Sequence, residues 1–273
     1  MALNISEHWL DLGDTGQLYY KQWRPDGSSQ ASAAPIVLFH DSLGCVELWR
    51  DFPDRLATIS GRTVIAYDRL GFGRSDPHPG VLPLDFIDRE ADAAFACLSE
   101  TLGLEAFIAL GHSVGGAMAT TCAARYPLRC KALVAISALT CVEDRTREGI
   151  RASEAAFEAA EQMERLGKYH GSKAHWVLRA WVDTWCSDAF RQWDLAPAMQ
   201  QVQCPTLALH GDADEYGSTL HPERFEAHTP QAKARVIPAC GHFPHRSAPD
   251  AVLDVIQTFL ATINTDSLPG CQS

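Results

Sequence analysis

The sequence has no run of the roughly 18 consecutive apolar residues that a membrane-spanning helix requires, which excludes such a helix. It has no excess of positive charge. Twenty-three Lys and Arg stand against 34 Asp and Glu, a formal charge of -11, so long-range electrostatics oppose nucleic acid and anionic membrane surfaces as partners. Met1 to Leu10 carries Glu7 and His8 without a basic start or an apolar stretch, so it does not read as a signal peptide. Nine cysteines are scattered at 45, 97, 122, 130, 141, 186, 204, 240 and 271. None forms a C-x-x-C pair, which argues against a zinc or dithiol site. An odd count without a leader suits reduced thiols and a cytoplasmic location, with most of the thiols acting as small buried apolar groups. No internal repeat or low-complexity tract is present.

What remains is an ordinary folded chain of 273 residues, 46% hydrophobic and 21% charged, long enough for one main domain with an insertion. Apolar runs of strand length at Ile36–Phe39, Thr63–Tyr67, Ala106–Leu110, Ala132–Ile136, Thr206–Leu209 and Ala234–Ile237 alternate with amphipathic helical segments. That is the pattern of an α/β protein with a mainly parallel sheet covered on both faces. Ile5–Leu12 and Gln17–Trp23, separated by Gly13-Asp14-Thr15-Gly16, read as an edge hairpin. Asp85–Leu102 is expected to form one helix with Ile87, Ala91, Ala94, Phe95, Leu98 and Leu102 on its apolar stripe, stopped by Gly103. Pro249–Ile263 is expected to form the last helix, followed by a frayed tail at 266–273.

From about Val142 to Ala196 the β/α alternation lapses into a helix-rich segment holding four of the seven tryptophans, Trp176, Trp181, Trp185 and Trp193. We read residues 141–196 as an inserted helical cap, with residues 1–140 and 197–265 forming the core. Ser153 is expected to cap a first helix whose stripe (Ala152, Ala155, Ala156, Ala159, Ala160, Met163, Leu166) ends at Gly167. Ser172 is expected to cap a second, with Val177, Leu178, Trp181, Val182 and Trp185 on one face. Most of the cap aromatics should pack against the core, and a minority should line a pocket.

The strongest chemical signal is Gly111-His112-Ser113-Val114-Gly115-Gly116, lying between a strand and the helical run Ala117–Arg125. A G-x-S-x-G segment in strand-turn-helix context presents a serine hydroxyl above a sheet at a helix amino end. Serine needs a base, and the base an orienting acid. Later strand ends supply both: Gly211-Asp212-Ala213-Asp214-Glu215 and Gly241-His242-Phe243-Pro244-His245. Asp212 and Glu215 are alternative acids and His245 an alternative base. His242, His245, Asp212, Asp214 and Glu215 also offer possible metal ligands, but a metal site would leave Ser113 and its glycines unexplained.

With these residues in the chain order Ser, Asp, His, nearly the whole sequence resembles the α/β-hydrolase superfamily, in its cap-bearing esterase and lipase-like branch. The resemblance implies an eight-stranded, mainly parallel sheet and a triad of Ser113, Asp214 and His242. It also implies an oxyanion hole formed by the backbone N–H groups of Val114 and Ser42. His40-Asp41-Ser42-Leu43 resembles the family's H-G-x loop with Asp41 where glycine is usual, which leaves Leu43 as the fallback donor and a turn-capping role open for Asp41. Tyr67–Asp76 also resembles a family segment, and its glycines and charges read as structural.

A serine nucleophile disfavours the dehalogenase and epoxide hydrolase branches, which use aspartate. A carboxylic ester hydrolase (EC 3.1.1) is the preferred reading, acting on a small, mostly apolar substrate in a pocket that includes Leu43, Trp181, Trp185 and Phe243, with no cofactor and no metal. C–C bond hydrolase, lactonase, thioesterase and cofactor-free perhydrolase use the same triad. A small-ligand sensor on the same fold is the alternative from another class.

Overall fold

The computed structural model describes residues 2–26 and 33–265; the expected frayed tail lies outside them. The strands are β1 (Leu3–Asp11), β2 (Gln17–Pro25), β3 (Ile36–Phe39), β4 (Val64–Tyr67), β5 (Phe107–His112), β6 (Cys130–Ile136), β7 (Thr206–Gly211) and β8 (Ala232–Ile237). They form one sheet in the order β1-β2-β4-β3-β5-β6-β7-β8. The β1–β2 hairpin and its junction with β4 are antiparallel, and every other pairing is parallel. The interior strands β3 to β7 carry apolar side chains on both faces because both are covered. Val37, Phe39, Phe107 and Ala109 join the core on one side of the sheet, and Ile36, Leu38, Ile108 and Leu110 join the other, as the alternation of a strand requires. Strand limits differ from the expected ones by one or two residues, mainly at fraying ends.

The helices are α1 (Phe52–Ser60), α2 (Phe86–Asp92), α3 (Ala94–Thr101), α4 (Val114–Arg125), α5 (Asp144–Ala156), α6 (Ala160–His170), α7 (Ala174–Trp185), α8 (Ala196–Met199), α9 (Leu220–His228), α10 (Pro244–Ser247) and α11 (Pro249–Thr265). Helices α1 and α11 pack on one face of the sheet, while α2, α3, α4 and α7 share the core on the other. The expected single helix over 85–102 is broken at Ala93 (φ -116, ψ -99). Beside the break the Tyr126 hydroxyl donates to the Ala91 carbonyl, a side-chain intrusion of the kind that kinks helices. The stripe survives the break, with Ile87, Ala91, Ala94, Phe95 and Leu98 all buried.

Helices α5, α6 and α7 lie between β6 and β7, and a bridge between Cys141 and Asp194 closes the base of this segment. Four expectations within it are corrected. Ser153 sits inside α5, whose amino end is instead held by a reciprocal capping box between Glu143 and Thr146. The stripe from Ala152 to Leu166 spans two helices, and its alanines are exposed; a methyl group contributes too little area to demand burial. Gly167 does not end α6, which runs to His170 with Gly171 (φ 59) as its terminator. Ser172 lies in a short 3-10 turn before α7 and makes no side-chain cap. The apolar face of α7 is as expected: Val177, Leu178, Val182 and Trp185 are buried.

Candidate active site

In this sheet order β3 leads by way of α1 to β4 on one side, whereas β5 leads to β6 on the other. The loops leaving β3 and β5 therefore diverge, and in an open α/β sheet that divergence opens a crevice beyond the strand ends. Ser113 sits there, between β5 and α4, with φ 56 and ψ -126, a left-handed conformation that side chains adopt at a cost of about 1–3 kcal/mol. The turn closes this tightly because of its glycines. A Cβ on Gly111 would lie 2.0 Å from the Gly115 carbonyl oxygen, and one on Gly115 would lie 2.0 Å from that of Phe39. The Ser113 N–H donates to the Ile136 carbonyl at 2.9 Å, which ties the turn to β6.

The loop after β7 supplies Asp214, 1% exposed. Its Oδ1 accepts the N–H groups of Tyr216 (2.8 Å) and Gly217 (3.2 Å), and its Oδ2 lies 2.7 Å from Nδ1 of His242. Burial alone would raise the Asp214 carboxyl, but the hydrogen bond and charge of His242, together with the Tyr216 N–H, outweigh it and hold the group below its ordinary value. Opposite His242, Nε2 of His210 stands 3.4 Å from the same Oδ2 and 3.2 Å from the Gly217 carbonyl. His242 is held in turn by its main chain: its N–H donates to Glu215 Oε2 (3.1 Å), and its carbonyl accepts from His112 Nε2 (2.8 Å). Glu215 therefore bonds to backbone and does not replace Asp214; Asp212 is exposed.

His245 is directed elsewhere, buried against Trp49, Phe52 and His112, so the five candidate metal ligands do not converge. Among the described residues no cluster of three or more His, Cys, Asp or Glu is arranged to hold a metal ion.

Ser113 and His242 line one cavity of about 60 Å³ with Asp41, Ser42, Leu43, Leu139, Ile150, Trp181, Trp185, Tyr216 and Phe243. All four pocket residues expected from sequence, Leu43, Trp181, Trp185 and Phe243, fall on this wall. Sequence reasoning missed Leu139, Ile150 and Tyr216. Tyr216 lay within reach, two residues beyond Asp214. Its ring packs edge-on to His242 at 4.8 Å, and its hydroxyl lies 2.6 Å from Ser153 Oγ of α5, joining α5 to the loop after β7. A larger groove of about 290 Å³, between β8 and α11, contains none of Ser113, Asp214 and His242.

In the oxyanion-loop candidate, Asp41 Oδ1 accepts the Leu43 N–H at 3.0 Å, which engages the fallback donor and gives Asp41 the turn-closing role left open for it. Burial opposes charge on this carboxylate, but His112, at 3.4 Å from Oδ2, and Arg246, at 3.8 Å, more than compensate and hold its pKa far below the ordinary range. Val114 begins α4, so its N–H is one of the helical donors left without an intrahelical acceptor.

A serine at a strained strand-to-helix turn, facing the same cavity as a histidine bonded to a buried aspartate, on an eight-stranded sheet of this order, defines an α/β-hydrolase architecture. The alpha/beta hydrolase fold model matches residues 34–170, and the chain belongs to that family. It is 28% identical over 257 residues to the serine hydrolase BPHL of Homo sapiens, covering 89% of this chain and 83% of that protein. It is 26% identical over 253 residues to the esterase YbfF of Escherichia coli, covering 85% and 95%. A solved carboxylesterase of Nitrososphaera gargenis superposes with a TM-score of 0.71 at 20% identity, over 95% of this chain and 100% of that one. At that identity the likeness concerns the fold.

Proposed function

We propose that this protein is a serine hydrolase that cleaves a carboxylic ester, or a related acyl bond, of a small and mostly apolar substrate. The observation that carries the reading is the line Asp214–His242 ending in the cavity that Ser113 shares. Asp214, as carboxylate, accepts the Nδ1 proton of His242, which leaves Nε2 as the basic nitrogen. His242 then takes the Ser113 proton as the hydroxyl oxygen attacks the acyl carbon. The N–H groups of Ser42 and Val114 hold the oxyanion, and His242 returns the proton to the leaving alcohol. Water, activated by the same imidazole, releases the acid and restores the serine. The chemistry calls for no cofactor or metal.

The names of the relatives, a serine hydrolase and an esterase, support the reaction class. The size and wall of the cavity support a short acyl group: Leu43, Leu139, Ile150, Trp181, Trp185 and Phe243 offer area and few hydrogen bonds. The same reading makes residues 141–196 a cap roofing the cavity and 1–140 with 197–265 the core. It places the enzyme in a reducing compartment such as the cytoplasm, in keeping with eight unpaired cysteines among the described residues.

The experiment is hydrolysis of p-nitrophenyl esters, lactones and thioesters by the wild type and by Ser113→Ala, with fluorophosphonate labelling of both. We expect turnover of short esters, stoichiometric labelling of the wild type, and a loss in kcat on the order of 10⁴ to 10⁶ in the variant. A folded wild type that binds small apolar ligands, turns none over and ignores the probe would make it a sensor.

A further inference from the structure

Arg69 is 5% exposed, and among the described residues no carboxylate pairs with it directly. Burying a guanidinium in that way is expensive, and the buried Glu90 offsets its charge only at longer range. Its hydrogen bonds point in one direction. Nη2 donates to the backbone carbonyl of Asp41 at 2.8 Å, Nε and the Arg69 N–H reach His40 Nε2 at 3.3 and 3.2 Å, and the guanidinium plane covers Phe72 at 4.2 Å. Because His40 Nε2 accepts, Nδ1 carries the imidazole proton and donates to the same Asp41 carbonyl at 2.8 Å. The Gly44 N–H adds a third donor at 3.2 Å.

That carbonyl belongs to the peptide unit whose other edge is the Ser42 N–H. The unit is trans and planar, so its C=O and N–H point in opposite directions. Three donors gripping the oxygen on the inner side therefore aim the hydrogen to the other side. Leu43 N–H is taken by Asp41 Oδ1 and Gly44 N–H by the Asp41 carbonyl. Of the three successive N–H groups of this loop, only that of Ser42 is left without an acceptor among the described residues.

We propose that Arg69 is a positioning residue of the oxyanion hole, setting the direction of the Ser42 N–H through the Asp41 carbonyl; this rests on the serine hydrolase reading above. The guanidinium also polarises that peptide, making its N–H a stronger donor where negative charge develops. Arg69 is not among the residues lining the cavity of Ser113 and His242. Its effect belongs to the tetrahedral species and not to the bound ester.

The test is Arg69→Met and the charge-keeping Arg69→Lys, assayed on a short p-nitrophenyl ester and for binding of phenylboronic acid, which forms a tetrahedral adduct on the nucleophile. We expect Arg69→Met to lower kcat by roughly 10-fold or more with KM within about 3-fold. Boronate affinity should fall in the same proportion, and Arg69→Lys should lie between the two. If Arg69→Met does not fold, a loss of kcat and boronate affinity in Arg69→Lys at near-constant KM supports the proposal in its place. Unchanged kcat and boronate affinity in a folded variant, or a change in KM alone, overturns the proposal while leaving the triad reading intact. A wild type that neither hydrolyses esters nor takes up fluorophosphonate removes both.

Discussion

Nδ1 of His242 stands 2.7 Å from Oδ2 of Asp214, while Oδ1 of the same carboxylate is held by two backbone N–H groups. In Asp214→Asn the amide oxygen would keep the backbone bonds, and the NH₂ would turn to His242 and force its proton onto Nε2. That tautomer donates toward Ser113 where it should accept. We expect kcat to fall by about 10⁴, with a parallel slowing of fluorophosphonate labelling and a far-ultraviolet spectrum like that of the wild type. Wild-type labelling rates in the variant would show that Asp214 does not orient the base.

Gly115 is a packing requirement of the turn. In Gly115→Ala the added carbon meets the Phe39 carbonyl at 2.0 Å, and neither backbone segment can yield without moving β3 or α4. Overpacking of this kind costs about 1–3 kcal/mol and sometimes more. A marked drop in Tm or in soluble yield is the expected outcome, and a variant as stable as the wild type would contradict the geometry.

His170, at the end of α6, ties that helix to the loops after β3 and β4 and sets a pH limit. Its Nδ1 accepts the Gly73 N–H at 2.8 Å and its Nε2 donates to the Leu43 carbonyl at 3.0 Å, an arrangement open only to the neutral ring. Burial lowers its pKa from 6.5 to about 4. As pH falls below 6.5 the unfolded chain takes up this proton first, so the contribution to stability is complete above 6.5 and is lost on the way down to about 4. Burial likewise pushes down His40, His112, His210 and His245, which steepens the same limb. Thermal unfolding from pH 7 to 4 should show a shallower decline for His170→Gln, whose amide titrates nowhere in this range; identical slopes would assign the limb to the other histidines.

Trp181 is the wall residue best suited to enlarging the cavity, because it is half-buried, whereas Trp185 is 1% exposed and its truncation would cost about 3–5 kcal/mol of stability. We expect Trp181→Ala to move the optimum of kcat/KM toward longer acyl chains across a series of p-nitrophenyl esters. An unchanged chain-length profile would place the acyl group elsewhere.

The sequence carried the sheet because buried parallel strands leave continuous apolar runs, and it carried Ser113 because a turn this tight must be written in glycine. Asp214 and His242 were legible as residues at strand ends in the right chain order. Parts that depend on contacts between distant segments were hidden. The break at Ala93 depends on a hydroxyl from Tyr126, and the alanine stripe of α5 and α6 shows periodicity without enough area to fix which side is buried. The partnership of His170 with Leu43 spans 127 positions. The Arg69 contact to Asp41 runs from a side chain to a main-chain oxygen, which no residue pattern records.

Gly71 (φ 88) bears the six-membered ring of Trp176, whose nearest atom would lie 2.3 Å from any added Cβ, while Val177, Leu178, Val182 and Trp185 share one apolar cluster with Phe39, Phe95 and Met118 beneath. In the cap reading proposed above, the roof is thus part of the foundation. A shortened protein made by splicing out residues 141–196 would lay bare the interior of the sheet's covered face, so a smaller protein on this scaffold would need a new apolar surface designed for the one removed.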